Sequence, residues 1–136
     1  MSSLMGQVME LDAVATPGRA LGKHILLVDD QQTVREAVKL LLGLDDHTVV
    51  EAENGAEALD LFAREHFDLV ITDFEMPVMK GNELASRIRQ QSLNQAILMI
   101  TAYPERLVGT DNPVDAVLEK PFQFSDLRRF ISALVG

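Results

Sequence analysis

Cysteine is absent from the 136 residues of this chain. A disulfide framework and a thiolate metal site are therefore excluded, and the composition suits a reducing compartment, so we expect a cytoplasmic protein. No apolar run approaches the ~20 residues that span a bilayer, and the amino terminus lacks the pattern of a secretory signal. With a hydrophobic fraction of 47%, the chain is long enough to form one domain around a buried core.

Positive charge is also scarce, because 12 lysines and arginines face 21 aspartates and glutamates, giving a net charge of −9. Such a surface repels nucleic-acid phosphates and anionic lipids, so we expect this domain to bind neither nucleic acid nor a membrane. Most of the acids need no explanation beyond solubility. The acids that follow apolar runs do, because the fold places them at particular points.

Breaker residues separate the beginning of the chain from the rest. Pro17, Gly18 and Gly22 interrupt regular structure, so we predict an extension over residues 1–22 and one domain over residues 23–136. The extension is either a disordered leader or a short amphipathic helix that packs on the domain or on a second copy of the chain. The second alternative would allow a homodimer.

From residue 24 onward, apolar runs alternate with helical periodicity. The runs predict five strands, at residues 24–28, 48–52, 68–72, 96–100 and 116–118. The first, third and fourth runs are continuously apolar, which is typical of parallel strands covered on both faces. The alternation of strands and helices predicts a doubly wound α/β domain.

Cap and breaker residues mark the predicted helices. Asn54 is predicted to cap the second helix, and Ser125 the last. The segment between the fourth and fifth strands contains Pro104, Gly109 and Pro113 and has only a weak apolar period. We therefore expect a shortened or irregular fourth helix there.

Residues with metal-binding and phosphate-binding side chains directly follow the predicted strands. They are Asp29, Asp30, Asp73, Thr101 and Lys120. Because right-handed crossovers bring every strand-to-helix loop to the carboxyl edge of the sheet, we expect all five at one rim. Each alone has an ordinary explanation as a cap, a loop acid or a surface lysine, and only their conjunction indicates a site.

Three carboxylates at one rim repel one another, by about 4 kcal/mol per pair at ~4 Å and an effective dielectric constant near roughly 20. A hard divalent cation offsets this repulsion, and oxygen ligands with room for water suit Mg²⁺. Lys120 offers a positive charge and Thr101 a hydroxyl to phosphoryl oxygens. Asp73 is then the candidate nucleophile, because carboxylates form acyl phosphates and phosphoryl transfer depends mainly on placement and charge neutralisation.

Four stretches of the chain resemble the receiver domain of two-component response regulators, including the chemotaxis regulators. They are Ile25–Asp30, Asp73–Gly81, Ile100–Ala102 and Lys120–Phe122. That family has the flavodoxin-like strand order 2-1-3-4-5, so the resemblance implies this order for residues 23–136.

The resemblance also implies roles for the rim residues. Asp73 would accept a phosphoryl group from a phosphohistidine of a sensor histidine kinase or phosphotransfer protein. Asp30 and Asp73 would bind Mg²⁺ directly together with the backbone carbonyl of Glu75, and Asp29 would act through metal-bound water. Lys120 would pair with the phosphoryl oxygens.

Further implications concern the surroundings of the rim. Thr101 is expected to turn toward the phosphoryl group, and the peptide bond before Pro121 is expected to be cis. Val117 stands where the family usually has an aromatic residue, and the preceding segment is about one helical turn, ~3–4 residues, shorter than usual. Glu75 and Tyr103 occupy positions that tune the acyl-phosphate lifetime in the family, although Tyr103 has the alternative of merely covering its loop.

Two other classes of protein remain as alternatives. A Mg²⁺-dependent phosphohydrolase with an aspartyl-phosphate, of the haloacid dehalogenase type, has Asp-x-Asp after its first strand, whereas Asp29 and Asp30 are adjacent. A flavin-binding relative of flavodoxin conflicts with the same acidic loop. We therefore expect a signalling phosphoacceptor, not an enzyme, that assists its own phosphorylation and slow dephosphorylation. Its downstream partner is not indicated, and residues 104–113 are expected to respond most to phosphorylation.

Overall fold

The computed structural model of the chain describes residues 20–107 and 113–136. Within them, five strands alternate with four α-helices. The elements are β1 (His24–Val28), α1 (Gln32–Gly43), β2 (Thr48–Ala52), α2 (Gly55–Arg64), β3 (Leu69–Asp73), α3 (Gly81–Gln91), β4 (Ile97–Thr101), β5 (Ala116–Glu119) and α4 (Phe124–Val135). No helix in this described part is long and apolar enough to cross a membrane.

The five strands form one parallel sheet in the order β2-β1-β3-β4-β5. Helices α1 and α4 cover one face of it with an apolar layer, and α2 and α3 cover the other. Strands β3 and β4 are buried along their whole length because both layers press on them. The predicted doubly wound, flavodoxin-like fold with strand order 2-1-3-4-5 is confirmed.

The connection between β4 and β5 contains no α-helix in its described part. A single 3-10 turn, Pro104–Leu107, follows β4, and the chain is described again from Pro113. The expected shortening of the fourth helix is therefore observed as far as the described residues extend. The rest of the predicted responsive segment, residues 108–112, lies outside them, as do residues 1–19 of the predicted extension.

The two predicted helix caps had different outcomes. The side chain of Asn54 accepts a hydrogen bond from the Glu57 N–H at 2.7 Å, so this cap is confirmed. The prediction for Ser125 is wrong, because α4 begins two residues earlier than that cap implies and Gln123 is its N-cap. The Gln123 N–H donates to the Asp126 carboxylate at 3.0 Å, and this capping box satisfies the helix end without Ser125.

The last residues of the predicted extension pack on the domain. Ala20 is buried, and its N–H donates to Ser132 Oγ in α4 at 3.1 Å. The Gly22 N–H donates to the Asp45 carbonyl at 3.1 Å, in the turn between α1 and β2. Gly22 has a φ of +68°, a backbone conformation that glycine adopts without strain. The chain thus enters β1 from a fixed point at the amino edge of the sheet.

Candidate functional site

Three carboxylates converge at the carboxyl edge of the sheet. Asp29 and Asp30 open the loop after β1, and Asp73 is the last residue of β3, which is the neighbour of β1. One carboxylate oxygen from each residue lies within 4.8 Å of the other two. Asp29 and Asp73 are buried, at 5% and 7% exposed, whereas Asp30 is exposed. The structure therefore brings the three predicted acids together, with one side of the cluster open to solvent.

Lys120 and Thr101 lie at the same edge. Lys120 Nζ donates a hydrogen bond to Asp73 Oδ1 at 3.0 Å and lies 4.0 Å from Asp29 Oδ2. The Lys120 N–H donates to the Thr101 carbonyl at 2.8 Å, which joins the ends of β4 and β5. Thr101 is fully buried, and its Oγ1 accepts a hydrogen bond from the Tyr103 N–H at 3.0 Å. The peptide bond between Lys120 and Pro121 is cis.

The electrostatics of this edge leave negative charge poorly compensated. Burial raises the pKa of both Asp29 and Asp73 above the ordinary carboxyl value. The hydrogen bond and charge of Lys120 oppose the rise at Asp73, whereas the neighbouring acids add to it. At Asp29, the Gln31 N–H, which donates to Oδ1 at 2.9 Å, opposes it. The Lys120 ammonium thus compensates the two buried carboxylates, and the charge of Arg35 adds a smaller contribution at Asp29.

The donor set fits a hard divalent cation. The three acids offer only oxygen ligands, and the exposed Asp30 leaves space for water in the coordination shell, as Mg²⁺ requires. A cation there would also offset the repulsion among the carboxylates. The donors and their electrostatics therefore agree with the magnesium site predicted from the sequence.

The remaining residues predicted for the site contribute no side chain to the acidic cluster. Glu75, in the loop between β3 and α3, is half-buried, and its Oε2 lies 3.1 Å from Arg106 Nη1. Tyr103 is 45% exposed, with its ring centroid 4.2 Å from Arg106 Cζ. Val117 lies inside β5, paired with Met99 of β4, and is half-buried. It therefore belongs to the sheet face and not to the rim.

Two residues that the sequence analysis did not single out hold the cluster in place. Arg35 of α1 donates from Nη1 to the Asp29 carbonyl at 2.7 Å and from Nε to Glu51 Oε1 at 3.0 Å. Gly81 begins α3 so close to β3 that a Cβ there would overlap the Asp73 carbonyl. Gly81 closes the Asp73–Gly81 motif and could have been found from it. Arg35 has no local signal, because its partners come from other elements.

The fold and the site together define a class of protein. A doubly wound sheet with an acidic cluster and a lysine at its carboxyl edge is a phosphoryl-handling domain that works with a divalent cation. Residues 25–132 match the family model of the response regulator receiver domain, and the chain belongs to this family. It contains the receiver domain of a two-component response regulator, whose role is that of a phosphoacceptor.

Similar proteins agree with this assignment. Response regulator MprA of Mycobacterium sp. (strain KMS) is 37% identical over 115 residues, which cover 82% of this chain and 50% of MprA. MprA of Mycobacterium leprae is 36% identical over the same shares of the two chains. The chain therefore spans about half the length of the curated relatives it matches.

Solved structures show the same fold. Response regulator TrrA from Thermotoga maritima, in complex with Mg²⁺-BeF, superposes with a TM-score of 0.78 and 36% identity, covering 82% of this chain and 98% of that one. Chemotaxis protein CheY4 of Vibrio cholerae gives a TM-score of 0.75 and 31% identity, covering 85% and 99%. None of these findings favours the phosphohydrolase alternative over the receiver domain.

Proposed function

We propose that Asp73 is the residue that accepts the phosphoryl group, from a phosphohistidine of a sensor histidine kinase or a phosphotransfer protein. The observation that supports this is the 3.0 Å hydrogen bond from Lys120 to Asp73 within the acidic cluster. Asp29 already accepts from the backbone, and Asp30 is exposed in a loop. Asp73 alone of the three ends a buried central strand, which fixes its carboxylate for in-line attack.

The chemistry then needs little from the protein beyond position and charge. An Asp73 carboxylate oxygen attacks phosphorus, the bond to the histidine nitrogen breaks, and the imidazole leaves. Lys120 remains beside the new phosphoryl oxygens, and Thr101 would exchange its bond with the Tyr103 N–H for one to the phosphoryl group. Mg²⁺, held by Asp30, Asp73 and the Glu75 carbonyl with Asp29 acting through water, would neutralise the transferring charge.

The response is proposed to begin at Thr101. Phosphorylation adds about two negative charges to the rim, and these can bias a two-state surface. Residues 104–113 begin three positions after Thr101, and Val117 stands where the family carries an aromatic residue, so we propose that this segment, and not an aromatic rotation, carries the signal. We also propose that the domain acts in the cytoplasm as a signalling module on a protein partner, with its own phosphorylation and dephosphorylation assisted by the same rim.

Labelling with acetyl phosphate and Mg²⁺, followed by intact mass measurement, tests the assignment. The parent should gain one labile phosphoryl group, and Asp73→Ala should gain none. Asp60→Ala is a matched control, because Asp60 is exposed on α2 and pairs only with Arg64 among the described residues. Equal labelling of Asp73→Ala and Asp60→Ala would show that Asp73 is not the acceptor.

A further inference from the structure

Three side chains connect the two loops that follow β3 and β4. Glu75 lies in the first loop, and Tyr103 and Arg106 lie in the second. Arg106 Nη1 is 3.1 Å from Glu75 Oε2, and the Arg106 guanidinium stacks on the Tyr103 ring, 4.2 Å from its centroid. We call this arrangement, Glu75–Arg106–Tyr103, the latch. It joins elements that the sheet alone would leave independent above the carboxyl edge.

Glu75 depends on cations for its charge compensation. Its Oε2 is a buried oxygen that accepts no hydrogen bond within the described residues, because the 3.1 Å approach of Arg106 lacks hydrogen-bond alignment. Its Oε1 lies 3.6 Å from Lys80 Nζ. A buried carboxylate oxygen without a hydrogen bond is costly and calls for an explanation. Here the Arg106 guanidinium supplies the compensating charge, at a glutamate two positions after Asp73 in the sequence.

The latch is attached to Thr101 through the backbone. The Tyr103 N–H donates to Thr101 Oγ1 at 3.0 Å, and the Arg106 N–H donates to the Tyr103 carbonyl at 3.0 Å, which closes the 3-10 turn. Thr101 is itself fully buried at the end of β4. The Arg106 backbone is therefore linked by two hydrogen bonds to Thr101, the residue whose hydroxyl is proposed to turn toward the phosphoryl group.

From these contacts we propose that Arg106 is a positioning residue for phosphorylation of Asp73, because it neutralises Glu75 while an anionic phosphodonor approaches. The inference rests on the proposed function of Asp73. Without Arg106, Glu75 keeps only Lys80, 3.6 Å from its Oε1, and adds an incompletely compensated carboxylate near the rim that holds Asp29, Asp30 and Asp73. The added repulsion slows the approach of an acetyl phosphate anion, and salt screens the effect.

The test compares initial rates of labelling by acetyl phosphate with saturating Mg²⁺. Arg106→Ala should slow labelling about threefold at low salt, the scale of one partly exposed ion pair. Glu75→Gln removes the charge that Arg106 neutralises, so Arg106→Ala added to Glu75→Gln should have no further effect. Arg106→Lys should restore most of the rate, and the threefold difference should shrink as salt is raised. A merely structural role would not make the rate difference shrink as salt screens the approach of the acetyl phosphate anion.

Arg87→Ala is the matched control, because Arg87 loses the same charge and a 2.8 Å ion pair with Glu83 on α3, at similar exposure. Equal rates for Arg106→Ala and Arg87→Ala, or an undiminished Arg106→Ala effect in the Glu75→Gln background, would overturn the proposal. Failure of the parent to label, or labelling of Asp73→Ala, would instead overturn the assignment of Asp73. The two failures are therefore distinguishable.

Discussion

The two edges of the sheet treat their acidic side chains in opposite ways. At the amino edge, Asp45 accepts two hydrogen bonds from Arg128, at 2.8 and 2.9 Å. Asp68 and Asp115 each accept a 2.8 Å hydrogen bond from a backbone N–H of a neighbouring strand. At the carboxyl edge, Asp29 and Asp73 share the ammonium of Lys120, and Asp30 lies in the same acidic cluster. The aspartates at the amino edge are thus paired with hydrogen-bond donors, whereas those at the carboxyl edge lie close to one another.

Backbone conformation shows the same contrast. At the amino edge, the positive φ values fall on Gly22, at +68°, and on Asp46, at +62°, and glycine and aspartate are residue types that tolerate this conformation. At the carboxyl edge, Val78 has a φ of +71°, and the Met79 N–H donates to the Pro77 carbonyl at 2.8 Å across it. This is a γ-turn with a β-branched residue at its centre, which is a strained arrangement. Functional sites tolerate such strain when the surrounding structure holds it in place.

The difference between the edges has a physical meaning. Paired acids at the amino edge contribute to stability, because each carboxylate has donors aligned on it and the buried Asp45 has two. Clustered acids at the carboxyl edge oppose folding until a cation or another positive group compensates them. The domain thus places its charge repulsion where the phosphoryl chemistry needs it. Removing the charge of an aspartate should therefore lower stability at the amino edge and raise it at the carboxyl edge.

The largest effect is expected where close packing, not charge, holds the carboxyl edge. Gly81→Ala should lower the free energy of unfolding by about 3 kcal/mol, because the new Cβ would overlap the Asp73 carbonyl and neither backbone can move freely. Helix propensity alone predicts the reverse, since alanine favours a helix more than glycine does. Urea denaturation in the absence of Mg²⁺ measures the difference.

Gly43→Ala provides the control for Gly81→Ala. Gly43 ends α1, and a Cβ there would meet no atom within 4 Å. The substitution should be neutral or stabilise the fold by about 0.5 kcal/mol, through the unfolded chain. If Gly81→Ala were as mild as Gly43→Ala, the tight approach of α3 to β3 would not be what fixes Asp73.

The sequence made the architecture and most of the rim predictable, and the reason is physical. Buried parallel strands need continuous apolar runs, and right-handed crossovers leave only one edge for the residues that follow them. Asp29, Asp73 and Lys120 could therefore be placed near each other before any coordinates. The strand ends were less predictable, since β3 and β4 each extend one residue further, onto Asp73 and Thr101.

Contacts between distant segments were not predictable. Arg106 lies in a segment without helical or strand period, and its partner Glu75 is thirty-one positions away, so no local pattern marks the ion pair. Arg35 reads as one polar residue of an amphipathic helix until the fold brings the Asp29 carbonyl to it. The prediction for Ser125 failed for a local reason. Both Gln123 and Ser125 are candidates for the N-cap of α4, and the capping box between Gln123 and Asp126 makes Gln123 the N-cap.

The second-largest change in stability is expected at the amino edge. Asp45→Asn should lower the free energy of unfolding by about 2 kcal/mol, because a neutral amide replaces a carboxylate that accepts two charge-assisted hydrogen bonds from Arg128. The Asp45 side chain is 2% exposed, so water cannot replace the lost interaction. Asp60→Asn is the control, since its 2.8 Å pair with Arg64 is exposed and should contribute little. Equal changes in both variants would remove the distinction drawn for Asp45.

The smallest change in stability is expected at the carboxyl edge, where the same replacement of an aspartate by asparagine should stabilise the domain. Asp29→Asn, measured in EDTA at neutral pH, should raise the free energy of unfolding by about 1 kcal/mol, as expected when a strained functional site is relieved. The amide oxygen can still accept from the Gln31 N–H, while the charge that repels Asp30 and Asp73 is gone. Added Mg²⁺ should then stabilise the parent more than the variant, because stabilisation by a ligand grows with the logarithm of its affinity for the folded state. If Asp29→Asn destabilised the metal-free domain as Asp45→Asn does, the carboxyl edge would be an ordinary paired edge, and the contrast between the two would fail.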